Sequence, residues 1–371
     1  RPGRRRRDAP RVGVTRKHRF GPGEPRATDQ YDDSRKSVSV AQQALPFPRP
    51  QPGLLGRVGV AQSIQRYGDH DNGHAAFEGI RVYREFTDDP MAEVAEALKD
   101  QGLAGSRVGV EMDYLPARDF ATLRDLLPEA DFVAADEVFG KLRQVKTAHE
   151  IDLLRSLSRI TDGAIGGTLA HARPGMTELE MAGELTARIF SGGAQDFKLM
   201  IIASGERSQF PHVGPTGRAL RDGDLIRMEI FGVVDGYHAG VCRTAVVGEP
   251  TAEQARIWDN LVECKYLVMD LIKPGAHAEA VYRRFLEKFE ELGLEPISFV
   301  GHGIGVFLHE EPYLGRYGEE VLEEGMVVAI EPLVYIPGRM GLQNKDMLLV
   351  TGDGCELLSD ATATDELIRV G

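Results

Sequence analysis

The chain has 371 residues, enough for two domains or one large domain with an appendage, and 42% hydrophobic with 27% charged residues describes an ordinary globular protein. A single small module and a wholly disordered chain are excluded. The formal charge of −13 is uneven: the first 30 residues carry ten Arg or Lys against Asp8, Glu24 and Asp29, making that segment +7 and the other 341 residues −20. A body this acidic argues against nucleic-acid binding, which needs clustered Lys and Arg, and leaves small-molecule chemistry as the default.

Residues 1–50 are rich in Arg, Pro, Gly and Ser and lack hydrophobic periodicity. They read as a disordered basic tail or an artefact of the gene model, in preference to a transit peptide, since the chain begins at Arg1 and not at Met. Residues 51–145 read as a small α/β domain: a helix over 91–101, a strand over 107–111, a helix over 120–127 and a strand over 131–134. Little strand signal is visible over 51–79, as in a truncated domain. Residues 146–371 open with a long helix near Thr147 that stops before Pro174-Gly175. Cys242, Cys264 and Cys355 are too few and too scattered for a disulfide framework and fit a reducing, cytoplasmic compartment. No run approaches the roughly 18 apolar residues of a membrane span, and no apolar stretch follows the basic start, so neither membrane nor secretory signal is expected.

The second domain contains an internal echo. Pro174-Gly175 precedes a helix opening with the capping box Thr177 to Glu180; Pro274-Gly275 precedes another helix. Gly223-Asp224-Leu225 before Glu229 is matched by Gly325-Met326-Val327 before Glu331. Landmarks repeating in order at a nearly constant offset predict a duplicated half-domain with the two glutamates facing each other across one cleft. His212, His302, His309 and Lys345 fall on the adjoining strands and loops. Carboxylates inside otherwise apolar strands need partners, either core ion pairs or site chemistry, and two at matching positions beside Gly301-His302-Gly303 favour a site. Because Pro312 and Tyr313 follow His309-Glu310-Glu311, a zincin HExxH helix is excluded.

These strings, together with Pro211-His212, Asp235-Gly236-Tyr237, Arg243-Thr244 and Ile330-Glu331-Pro332, resemble the pita-bread family of aminopeptidase P, prolidase, methionine aminopeptidase and creatinase. The resemblance implies an α+β chain: a duplicated, curved antiparallel sheet with outer helices, preceded by a small creatinase-type N-terminal domain, in a homodimer. It also implies a two-metal site built from two Asp, one His and two Glu. Carried over, these five fall on Glu229, Gly240, His302, Glu331 and Lys345. Gly240 has no side-chain oxygen, and an ammonium at 345 repels a cation by about 4 kcal/mol per unit charge at 4 Å and a dielectric of 20. No metal cofactor is therefore expected; the alternative is one manganese, cobalt or zinc ion on Glu229, His302 and Glu331. Strand alternation turns Asp346 away from the cleft if Lys345 faces it.

The leading expectation is a creatinase-like, metal-independent hydrolase cleaving a C–N bond in a small amide, amidine or ureido compound. His212 shuttles a proton, Glu229 or Glu331 orients water, His302 and His309 hold the substrate, and Lys345 stabilises negative charge. Tyr237, Cys242 and Arg243 are expected to bind substrate, Cys242 being either a nucleophile or a buried structural thiol. One alternative is an Xaa-Pro dipeptidase or aminopeptidase with residual metal binding, taking a dipeptide. Another is a catalytically silent pita-bread module that binds proteins.

Overall fold

The computed structural model describes residues 38–41, 56–59, 81, 83, 84 and 86–371. Val38–Ala41 is a strand, β1, which corrects the tail boundary drawn at residue 50. Four residues are too few to display a period against polar surroundings. The rest of the tail reading, and most of the stretch 51–79, lie outside the described residues. After β2 (Gly56–Gly59) come α1 (Pro90–Asp100), β3 (Arg107–Val110), α2 (Ala117–Leu126), β4 (Asp131–Ala134) and α3 (Asp136–Gln144). The strands form a parallel sheet in the order β2-β1-β3-β4, as expected of an α/β unit. Asp89 caps α1 by accepting the Met91 N–H at 2.8 Å, and Val94, Leu98, Val108, Val110 and Leu123 close a small separate core.

The second domain opens with α4 (Ala148–Leu169), α5 (Glu178–Ser191), β5 (Asp196–Ser204), β6 (Leu225–Val234) and β7 (Tyr237–Val247). The pattern then repeats as α6 (Ala252–Leu271), α7 (Ala278–Glu291), β8 (Phe299–Gly303), β9 (Glu310–Gly315) and β10 (Val327–Ile330). A hairpin of β11 (Leu333–Ile336) and β12 (Met340–Gln343), then β13 (Asp346–Val350), β14 (Cys355–Leu357) and β15 (Ile368–Val370), complete the chain. Two sheets result, β15-β7-β6-β5 and β14-β13-β10-β8-β9. The duplication extends to single hydrogen bonds. Gly175 N donates to Leu220 O at 2.9 Å and Gly275 N to Leu322 O at 2.8 Å; Gly223 N donates to Val247 O at 2.8 Å and Gly325 N to Val350 O at 2.9 Å. Gly175 and Gly275 share φ +86°, a conformation that favours glycine. Helices α4 and α5 pack on one apolar cluster, α6 and α7 on a second around Trp258, Phe285 and Phe289.

The β6–β7 hairpin decides what faces the cleft. Its turn, Asp235-Gly236, has φ +50° and +81°, as a two-residue type I′ turn requires. The register sets Glu229 opposite Cys242, Phe231 opposite Gly240, and Gly232 opposite Ala239. Gly232 packs against Thr161 of α4, so even positions of β6 and odd positions of β7 face the helices. The opposite set faces the cleft. Here the two halves are stitched together: Cys242 N donates to Lys345 O and Lys345 N to Cys242 O, each at 3.2 Å. No helix among the described residues is long and apolar enough to cross a membrane.

Candidate active site

Glu229, at the centre of β6, and Glu331, in the break between β10 and β11, come from matching places in the two halves, and both are nearly fully buried, at 4% and 5% exposure. Between them lies Lys345, in the link from β12 to β13. Its Nζ is 3.1 Å from Glu229 Oε1, 3.4 Å from Glu331 Oε2 and 4.5 Å from the centre of the Phe231 ring. Burial alone would push the Lys345 amine down, but the two carboxylates reverse this and hold it above its ordinary value. Burial alone would likewise raise Glu331; Lys345 and His302 more than offset it and hold its carboxyl below the ordinary range. Both groups are therefore charged at neutral pH.

Three further residues, not singled out by the sequence reasoning, tighten this arrangement. Gln343 Nε2 donates to Glu331 Oε2 at 3.0 Å, and Arg227 Nη1 donates to Gln343 Oε1 at 2.8 Å. The fully buried Arg227 also bonds the carbonyls of Ser208, Phe210 and Pro211, holding the loop that presents His212. Phe231 occupies the space beside Gly240, where a Cβ would come within 2.3 Å of its ring. A signal existed for all three, since Arg227, Phe231 and Gln343 each stand two positions from a cleft-facing charge and so share its face.

His302, on β8, is buried at 2% exposure; its Nδ1 lies 2.8 Å from Gly303 O and its Nε2 3.3 Å from Glu331 Oε1, without a well-formed hydrogen bond. His309, in the turn between β8 and β9, meets His302 edge-on with ring centroids 4.2 Å apart. Partial burial, then the charges of His302 and Lys345, push His309 down to about 4, so it is a neutral hydrogen-bonding group near pH 7. His212 is solvent-exposed.

The expected substrate-binding set is corrected by the pleat. Arg243 and Tyr237 lie at odd positions of β7 and point away from the cleft. Arg243 is fully buried against Asp162 at 2.9 Å and Asp346 at 2.8 Å, and Lys265 completes this four-charge network 2.7 Å from Asp346. Asp346 thus faces away from the cleft, as the alternation required. Tyr237 donates to Glu150 Oε1 at 2.7 Å, while Glu150 Oε2 accepts the Thr147 N–H at 2.7 Å in the box that starts α4. Both residues brace helices. Cys242 does share the face of Glu229 but is fully buried, and burial pushes its thiol well up, so neither substrate contact nor nucleophilic attack suits it.

The residues do not fit a two-metal centre. Gly240 has no ligand atom and Phe231 fills its place, while the Lys345 ammonium already sits between the two glutamates a cation would need and Arg227 lies 3.8 Å from Glu229. Among the described residues no three His, Cys, Asp or Glu side chains are grouped so as to hold a metal ion, and the alternative trio of Glu229, His302 and Glu331 is interrupted by the ammonium.

The description of metallopeptidase family M24 matches residues 152–352, and that of the creatinase/prolidase N-terminal domain matches residues 63–145. A probable dipeptidase PepE of Mycobacterium tuberculosis is 34% identical over 271 residues, covering 72% of this chain and 71% of its own. An Xaa-Pro dipeptidase of Pyrococcus furiosus is 32% identical over 232 residues, 62% of this chain and 67% of its own. The solved structure of an Xaa-Pro dipeptidase from Bacillus anthracis superposes with a TM-score of 0.73 at 30% identity, covering 80% of this chain and 82% of the other. These relatives are named dipeptidases, which backs the Xaa-Pro dipeptidase alternative better than the leading expectation and gives a creatinase-like, metal-independent role no support. With its creatinase-type N-terminal domain and pita-bread fold, the chain belongs to metallopeptidase family M24 and is a hydrolase acting on C–N bonds.

Proposed function

We propose that this protein hydrolyses the C–N bond of a dipeptide-sized amide, Xaa-Pro dipeptides first among them, at a centre where the Lys345 ammonium takes the electrostatic place of metal ions. The substrate class is supported by the relatives named as dipeptidases. The centre rests on one observation: Lys345 Nζ sits 3.1 Å and 3.4 Å from the two glutamates that duplication brings face to face. In this reading His212 takes a proton from water as its oxygen bonds to the carbonyl carbon, and returns that proton to the nitrogen as the C–N bond breaks. Glu331, fixed by Lys345, Gln343 and His302, orients the water; Glu229 anchors the ammonium. His302 and His309 hold the carbonyl or carboxylate, and Lys345 stabilises the developing oxyanion.

A second reading, a dipeptidase using one divalent ion, is favoured by the His302 Nε2 atom, buried and lacking a well-formed hydrogen bond beside Glu331. Cleavage of glycyl-proline and alanyl-proline, assayed on protein purified without chelator, separates the two. Activity that survives chelation and ignores added manganese or cobalt supports the first reading. Stoichiometric metal with chelator-sensitive turnover replaces it by the second, and the absence of cleavage with either dipeptide rejects the substrate class.

A further inference from the structure

The turn from Ile304 to His309 is held from several sides, by β10 through the Ile304 N–H to Val327 O at 3.2 Å, by β7, by Glu310 and by residues of the N-terminal domain and the connector. His238, on β7, donates its backbone N–H to Gly305 O at 2.7 Å. Glu310 Oε1 accepts the Phe307 N–H at 3.0 Å, closing the turn on itself. Glu310 Oε2 then takes the Lys146 ammonium at 2.9 Å. Arg143, tied to Glu111 at 2.7 Å, lies 4.7 Å over the Phe307 ring.

Lys146 belongs to the connector between α3 and α4, so it ties the junction of the two domains to the residue directly after His309. The Lys146 and Glu310 side chains are 2% and 5% exposed. Gly305 leaves the room they need: a Cβ there would lie 3.0 Å from Glu310 Oε2 and 3.1 Å from Lys146 Cε. A buried pair is a poor way to add stability, because desolvation offsets most of the attraction, but it fixes geometry well. Neither residue has a part in the chemistry proposed above.

We propose that Lys146, acting through Glu310, is a positioning residue that holds the His309 ring against His302, and that the connector thereby couples the N-terminal domain to the active site. The proposal rests on the reading of His309 as a substrate-holding group. Its test uses full-length Lys146→Met, Lys146→Arg, Glu310→Gln and the Lys146→Met/Glu310→Gln double variant. In Lys146→Met, hydrogen exchange should accelerate by about tenfold or more over 303–310 while β6 and β10 keep their protection. The kcat/KM for glycyl-proline should fall about 100-fold, the scale of an ångström-sized misplacement. Lys146→Arg should recover most of both effects, and the double variant should lose no more than the worse single one. Unchanged exchange in the turn, protection lost across the whole domain, or additive losses in the double variant would overturn the proposal. If the wild-type protein cleaves no dipeptide, the substrate reading fails, while the exchange data still judge the Lys146–Glu310 link.

Discussion

Replacing Lys345 by Met removes the one ammonium between two carboxylates that are 4% and 5% exposed. Glu331 keeps Gln343 and His302, and Glu229 keeps Arg227 at 3.8 Å, but the charge balance of the cleft is lost. Stripping one partner from a buried ion cluster costs about 3–5 kcal/mol. For a domain of this size, at about 2–4 °C per kcal/mol, the melting temperature should fall by about 6–20 °C near neutral pH. The sign of the pH dependence is a stricter check. In the wild type Glu331 is held below its unfolded value, so it contributes stability above the unfolded carboxylate pKa of about 4.3, and this is lost as pH falls through the folded value. Without the ammonium the largest opposition to burial is gone, so the Glu331 carboxyl should move up from its wild-type value, and the variant's deficit should be largest near pH 8 and shrink on acidification. Urea unfolding followed by circular dichroism at pH 5 and 8, with and without manganese, measures both effects. Equal stability at pH 8 would refute the reasoning. So would a saturable manganese-dependent rise in wild-type stability, about 2.7 kcal/mol at a hundred times Kd, because the resident cation would then be a metal.

Arg243→Met should destabilise by about 3–5 kcal/mol, since Asp162 and Asp346 lose their shared cation, yet leave kcat per folded molecule within a few-fold; thermal melts paired with active-site-normalised rates test this. Gly240→Asp should fail to create a ligand and should destabilise, because the new Cβ meets the Phe231 ring; adding Phe231→Ala should relieve the clash, as read from melting temperatures. Cys242→Ala should retain activity, and the native thiol should resist alkylation until the protein unfolds. The His309 ring, followed by NMR, should titrate near 4, and its depressed value means that its share of stability is present above about 6.5 and lost as pH falls.

The duplication and its consequence were legible because Pro-Gly helix leads, glycines that need positive φ and strand starts are local features, and they recur in one order along the chain. The same parity that turned Asp346 away from Lys345 also separates Tyr237 and Arg243 from Cys242, an odd number of positions off, so the sequence alone showed that the three cannot share one face. What could not be read was which parity faces the cleft. Sheet register answers that, and register depends on Gly232 packing against α4 and on the pairing of Cys242 with Lys345 across the two halves.

By itself, then, the sequence determined the family and the duplicated architecture, and placed a glycine at 240 and a lysine at 345, all carried by residue identity and spacing. Tertiary structure alone decided what surrounds those two positions. Phe231 occupies the space left at 240, the Lys345 ammonium lies between glutamates 102 positions apart, and the domain connector reaches the His309 turn through Lys146. Each is a contact between distant segments, and its existence depends on packing and charge compensation in a buried, weakly screened interior, which no local pattern encodes.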